Sequence, residues 1–329
     1  MTSRLLFFCS LAIILFSTGC REEPLTINYK LGIFPDSVMA LEGLNTVYDD
    51  YNMDIEAGRI DARIPVVFSS NRQSAGGEFD LTHGLIWYTF GQTTGSFQLG
   101  SEIAADVFLD RLTAAFNTGG NEFGPLRFFN GRNGLEYMAA ATESDENGLE
   151  IVYTSYIPAF TNLPAVEPPV GATLFNSPSD DAYLSLGTTL DTAWFCSDRG
   201  GDFDIYMLTR PAGLSLDEWF MSPAMTPTPV DSINSTGNDK CPFVRGRYMV
   251  FASDMPGGMG GFDLYYSVFR NGKWSSPVNM GPGINSAANE YRPVLGKDLK
   301  FENYFLIFSS DRPGGKGGYD LYFTGISMH

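Results

Sequence analysis

The chain has 329 residues, with 38 acidic against 21 basic side chains and a formal charge of −17. This length suits one large domain, and the negative field repels nucleic acid and anionic lipid, so neither is an expected ligand. Aromatic residues make up 14% and glycines number 36, which fits many short strands and tight turns; no Cys/His spacing of a metal site occurs, and no metal or cofactor is expected.

Residues 1–19 read as an export signal. Arg4 charges its start, and Leu5 to Phe16 is an apolar run too short to span a bilayer as a helix. Ser17-Thr18-Gly19-Cys20 resembles a bacterial lipobox and departs from it at Ser17. The resemblance implies cleavage before Cys20, palmitate-type lipid on that cysteine, and attachment to the outer membrane or cell surface. Residues 20–24 would then be a tether and 25–329 a single domain. Ordinary secretory cleavage is the alternative.

Two pieces then alternate along the chain. In one, glycine or asparagine leads to a carboxylate and a short apolar strand. Its carboxylates are Asp50, Glu122, Asp181, Asp239 and Glu290, separated by 72, 59, 58 and 51 residues. The other is an apolar strand, a glycine-rich turn and a second strand. It spans 249–265, returns at 306–322, is shortened at 194–206, and recurs with more change at 67–81 and 137–153. Repeats of this size built from short strands predict an all-β fold, a β-propeller of four-stranded antiparallel blades. Five blades fit the spacings, and six is the next count. The longest step leaves room for an insertion around Ser101 to Thr118, where Ile103, Val107, Leu109, Leu112 and Phe116 predict a short helix. The last blade lacks an outer strand. Thr26 to Phe34, with Ile27, Tyr29, Leu31 and Ile33 in alternation, is expected to supply it by pairing with Leu321 to Thr324, because an open ring leaves a sheet edge exposed.

Several acids recur once per blade. Asp198, Asp254 and Asp311 sit in the turns, and Asp80, Asp204, Asp263 and Asp320 open the third strands. Such residues can ligate calcium, but a device present in every repeat reads as a turn staple that also pairs with Arg72, Arg199 or Arg312. Asp50, Glu122, Asp181, Asp239 and Glu290 should ring one mouth of the central channel. They form either an acidic funnel for a partner, a cation or a sugar, or caps on the neighbouring blade's backbone. Cys196 and Cys241 occupy buried strand positions and can pair only if their Cα atoms lie within about 7 Å.

Ser310-Asp311-Arg312-Pro313-Gly314-Gly315 followed by Tyr319-Asp320-Leu321-Tyr322, with copies at 253–265 and 197–206, resembles the WD-like repeat of TolB-type β-propellers. The resemblance implies a non-catalytic, protein-binding scaffold in an outer-membrane or surface assembly, with envelope proteins as partners. The alternative is a carbohydrate-binding or glycoside-hydrolysing five-bladed propeller that uses the channel-mouth carboxylates. Because those acids repeat instead of standing out singly, and no serine or cysteine nucleophile has a visible base, no catalytic residue is expected.

Overall fold

The computed structural model describes residues 30–56, 63–144, 148–158, 164–223 and 225–328; the signal segment, Cys20, the tether and the Thr26 to Tyr29 part of the expected closing strand lie outside them. Each buried carboxylate opens an innermost strand, and the next strands follow outward in sequence order. A short strand, β1 (Met39–Ala40), precedes the first of these. Blade 1 is β2 (Asp50–Tyr51), β3 (Arg63–Ser70), β4 (Asp80–Phe90) and β5 (Phe97–Glu102). Helix α1 (Val107–Phe116) follows, capped by Asp106, with Phe108, Leu109, Leu112 and Phe116 buried. It is the predicted insertion, although Ile103 stays outside it and exposed.

Blade 2 is β6 (Glu122–Asn130), β7 (Leu135–Ser144), β8 (Gly148–Tyr156) and β9 (Val170–Gly171). Blade 3 is β10 (Asp181–Leu186), β11 (Thr192–Ser197), β12 (Asp204–Thr209) and, after α2 (Leu216–Phe220), β13 (Thr228–Pro229). Blade 4 runs through β14 (Asp239–Arg245), β15 (Tyr248–Ser253), β16 (Asp263–Arg270), β17 (Lys273–Trp274) and β18 (Val278–Asn279). Blade 5 is β19 (Glu290–Gly296), β20 (Tyr304–Ser310) and β21 (Asp320–Ile326), and β1 completes it as the outer strand. The fold is therefore an all-β propeller of five blades.

The closing strand differs from the expected one. Met39 pairs with Phe323 and Ala40 with Tyr322. Within the expected segment, Gly32 instead bridges Phe301 in parallel, and Asn303 holds both the N–H and the carbonyl of Phe34. The alternation in this segment has the opposite parity: Leu31 and Ile33 are 43% and 55% exposed, while Phe34 is buried and stacks on Phe301 at 3.8 Å between ring centroids. Phe34 enters a cluster of Tyr88, Phe97, Phe301, Phe305 and Phe323, and these ring contacts fix which face turns in.

One hydrogen-bonding unit joins every blade to the next. Five residues before each buried carboxylate stands an asparagine: Asn45, Asn117, Asn176, Asn234 and Asn285. Its amide donates to a carbonyl, and its oxygen accepts from the N–H, of one residue on the preceding blade's third strand. The partners are Leu321, Leu81, Ile151, Ile205 and Leu264. In four blades the same carbonyl also accepts a backbone N–H from the outer segment, of Leu41, Ala172, Val230 and Met280, so the clasp and the outer strand fix register together. Asn45 clasps Leu321 and thereby closes the ring. Asn45→Ala leaves the Leu321 N–H buried without a partner, while its carbonyl keeps the Leu41 N–H, and is expected to cost about 1–3 kcal/mol in denaturant unfolding. An unchanged unfolding midpoint would show that the clasp contributes nothing.

Candidate functional site

The five repeated carboxylates each stand at the start of the first strand of a blade, and all are fully buried. Each accepts the N–H of the Thr or Ser four residues earlier, from Thr46, Thr118, Ser177, Ser235 and Ser286, at 2.6 to 3.1 Å. In blades 1, 3 and 5 a guanidinium completes the unit: Arg72 pairs with Asp50, Arg199 with Asp181 and Arg312 with Glu290. The same three arginines donate to the carbonyls of Leu44, Phe175 and Ile284.

Blades 2 and 4 carry Ser144 and Met255 where the others carry arginine, and among the described residues no cation pairs with Glu122 or Asp239. Burial pushes both carboxyls above the usual range. Thr118 and Thr142 oppose the shift at Glu122, and Ser253 and Ser235 oppose it at Asp239.

The turn acids act within the same scaffold. Asp198, Asp254 and Asp311 accept the N–H of Asp180, Asn238 and Asn289, while Asp263 and Asp320 accept those of Met259 and Lys316 in their own turns. Burial, with Asp202, Asp239 and Asp231 nearby, raises Asp204 to about 6. Below these turns the channel centre is filled. Asn52 donates to the Tyr183 hydroxyl, and Arg292, 1% exposed, lies over the Tyr183 ring and donates to the Pro125 carbonyl. These residues, with Gly124 and Cys241, occupy the left-handed position two after each carboxylate, at φ between 46° and 58°. At Gly124 a Cβ would come within 2.4 Å of the Tyr183 ring, so glycine is required there. Cys196 and Cys241 are buried free thiols, and burial raises Cys241 to about 11.

The opposite mouth holds an open cavity of about 520 Å³. Phe128 and Phe129 at the end of β6, Phe243 in β14 and Leu186 in β10 supply apolar walls. Glu56, Glu136, Arg245, Ser185 and Thr188 supply polar groups. Glu136 is set by strand pairing, opposite Phe129 on one side and Tyr156 on the other.

Behind the cavity Asp54 accepts two bonds from Arg127, at 2.7 and 3.0 Å, and one from the Val67 N–H. Burial alone would lower the Arg127 pKa, but the contact with Asp54 raises it further, and Glu56 adds to that. Burial also raises the Tyr156 hydroxyl; Arg127 opposes this while Glu136, Glu56 and Asp54 reinforce it. Three carboxylates thus act on one small region around a single buried guanidinium. Two of them line the cavity.

No family model matches the chain, and no curated protein matches it in sequence. Its fold is shared with solved glycoside hydrolases. It is similar to a thermostable family-43 glycoside hydrolase (TM-score 0.55, 12% identity, covering 88% of this chain and 94% of that one). It is similar to the catalytic domain of a GH62 α-L-arabinofuranosidase from Coprinopsis cinerea (TM-score 0.50, 14% identity, 89% and 97%). A third is an exo-β-1,3-galactanase from Phanerochaete chrysosporium, solved with β-1,3-galactotriose (TM-score 0.51, 11% identity, 88% and 64%).

These comparisons overturn the TolB-type resemblance and, with it, the expectation of a non-catalytic scaffold that is no enzyme. The repeated Ser-Asp-Arg and Gly-Gly elements encode a stapled hairpin, and that local chemistry does not distinguish one propeller family from another.

Sequence reasoning passed over Glu56, Glu136 and Arg245. A signal for Glu56 and Arg245 exists in the repeat. Six residues after each buried carboxylate stand Glu56, Phe128, Gly187, Arg245 and Gly296, glycine in two blades and a different large side chain in each of the others, and the first four all line the cavity.

The two kinds of buried carboxylate should respond oppositely to neutralisation. Asp181→Asn strips Arg199 of its partner and is expected to cost about 2–3 kcal/mol at pH 7. Asp239→Asn keeps an acceptor for the Ser235 N–H and removes a charge that burial disfavours. Because the folded-state pKa of Asp239 is raised, its protonated form stabilises the fold at low pH, and that contribution is lost as pH rises through the raised value. Asp239→Asn should therefore equal or exceed the parent protein in thermal stability at pH 7 and lose its advantage below pH about 4. Equal destabilisation by both changes would contradict the assignment.

Proposed function

We propose that the chain is a glycoside hydrolase whose substrate lies in the 520 Å³ cavity between Phe129 and Arg245. The observation that carries this reading is the pair Glu56 and Glu136 on the wall of one apolar-sided cavity. Hydrolysis of a glycosidic bond needs two carboxyl groups flanking the bond, one to protonate the leaving oxygen and one to act as base or nucleophile. The exposed ring of Phe129 offers a face on which the C–H side of a sugar ring packs, with Ser185, Thr188 and Arg245 placed to hydrogen-bond its hydroxyls. The Asp54–Arg127 pair ties the segment after β2 to β6 behind the two glutamates. The repeated carboxylates at the other mouth take no part in the chemistry in this reading, since every one is buried and hydrogen-bonded within its own turn.

Release of reducing sugar from a panel of neutral and acidic plant and algal polysaccharides, followed by high-performance anion-exchange chromatography, tests it. Glu56→Gln and Glu136→Gln should each lower kcat at least about 10²-fold while glycan binding persists. Turnover unaffected by both changes would remove the site, and binding without turnover on any substrate would leave a glycan-binding protein.

We further propose that the chain is a lipid-anchored envelope protein held through Cys20, with its glycan site and any envelope protein partners outside the membrane. The support is the apolar run ending at Gly19-Cys20. Cys20→Ser should shift the protein from the membrane fraction to the soluble fraction or leave the signal uncleaved. A mature parent protein lacking a diacylglyceryl mass increment would contradict the anchor.

A further inference from the structure

A second cavity, about 760 Å³, opens at the same end of the ring between the first hairpins of blades 4 and 5. It shares Arg245 with the proposed glycan cavity, so the two are adjacent. Its wall carries Arg245, Arg247, Lys297 and Lys300, with Tyr248 and Tyr304 between them. In a chain of net charge −17, four cations on two neighbouring hairpins are a local reversal of sign.

Among the described residues no carboxylate lies within ion-pair distance of any of the four. The one acid on the wall, Asp298, is buried and engaged by the Tyr88 hydroxyl and the Lys300 N–H. Lys297 is fixed by the carbonyls of Phe301, Glu302 and Asn303, and Arg247 by the Tyr248 hydroxyl, so these two charges are held in place. Arg247 and Lys300 are exposed, and Arg245 is half-buried at the junction of the two cavities. Burial lowers the pKa of Arg245, and Tyr304 is the one group that opposes the shift.

We infer that this basic cleft binds the anionic sugars of an acidic polysaccharide whose neighbouring residues occupy the hydrolytic cavity. The inference rests on the glycosidase reading for the second half of that statement. The chemistry is that of a chain carrying carboxylate or sulfate groups at sugar spacing. Guanidinium and ammonium groups on a rigid hairpin pair match it, and the overall negative charge of the protein requires the attraction to be local.

Isothermal titration of the full-length Glu136→Gln protein with polygalacturonate, a sulfated galactan and neutral arabinan tests it. At low salt at least one charged polymer should bind about tenfold tighter than the neutral one, and the gap should close at 0.5 M NaCl. Which charged polymer binds identifies the acidic group. Arg247→Gln with Lys300→Gln should collapse the charged-to-neutral affinity ratio toward one, and Arg247→Lys should retain most of it. Neutral polymer bound as tightly as both charged ones, or a ratio that survives the double change, would overturn the inference. Absence of hydrolysis alongside a preserved, Arg247-dependent preference would remove the hydrolytic reading and leave the acidic-glycan site standing.

Discussion

Everything in this ring depends on the asparagine clasp between blades. A propeller blade is a twisted sheet whose third strand would otherwise present an unpaired N–H, beside a carbonyl with one acceptor position still open, in a water-poor seam. The amide of Asn45, Asn117, Asn176, Asn234 or Asn285 satisfies both groups at once and ties them to the turn that launches the next blade. The carboxylate five residues later then holds that turn closed through the backbone N–H of the intervening Thr or Ser. Because the first clasp reaches from Asn45 to Leu321, the ring shuts with the same bond that joins its neighbours, and β1 needs only two residues to finish the sheet.

This division of labour sets the two channel mouths apart. At the clasp end, polar side chains are buried and committed to one another, so the surface there is a consequence of assembly. At the other end the hairpins between first and second strands carry no clasp. Their residues are free to differ from blade to blade, and there the chain gathers Glu56, Glu136 and Arg245 around open space, with the Asp54–Arg127 pair behind them. Between the two ends Tyr183, Asn52 and Arg292 are buried against one another and fill the channel centre. Apolar walls such as Phe129, Leu186 and Phe243 can exclude water from a reacting bond.

The parts of this molecule legible in its sequence are the parts that repeat. The spacing of Asp50, Glu122, Asp181, Asp239 and Glu290 led to five blades, and the apolar period at Leu109, Leu112 and Phe116 led to α1. The full unit is more explicit than the carboxylate alone: asparagine, Thr or Ser, two variable residues, Asn or Asp, then the acid, as in Asn117-Thr118-Gly119-Gly120-Asn121-Glu122. The closing strand was misplaced because alternation alone gives a period and no parity; the stacking of Phe34 on Phe301 supplied the parity. The family resemblance failed for a related reason, since a stapled Gly-Gly hairpin solves a problem every blade has. The candidate site was hidden because its residues are the ones that break the pattern. Glu56 and Arg245 occupy equivalent positions in blades 1 and 4 with opposite charge, and no periodicity argument picks out a position for being unlike its counterparts.

The central claim is that glycan chemistry takes place at the unclasped mouth. A crystal structure of the Glu136→Gln protein soaked with an oligosaccharide that the parent protein cleaves tests it most directly. The account predicts sugar density against Phe129, with the scissile oxygen between residues 56 and 136. Density confined to the clasped mouth, near Tyr51 and Tyr319, or to the outer strands would contradict it.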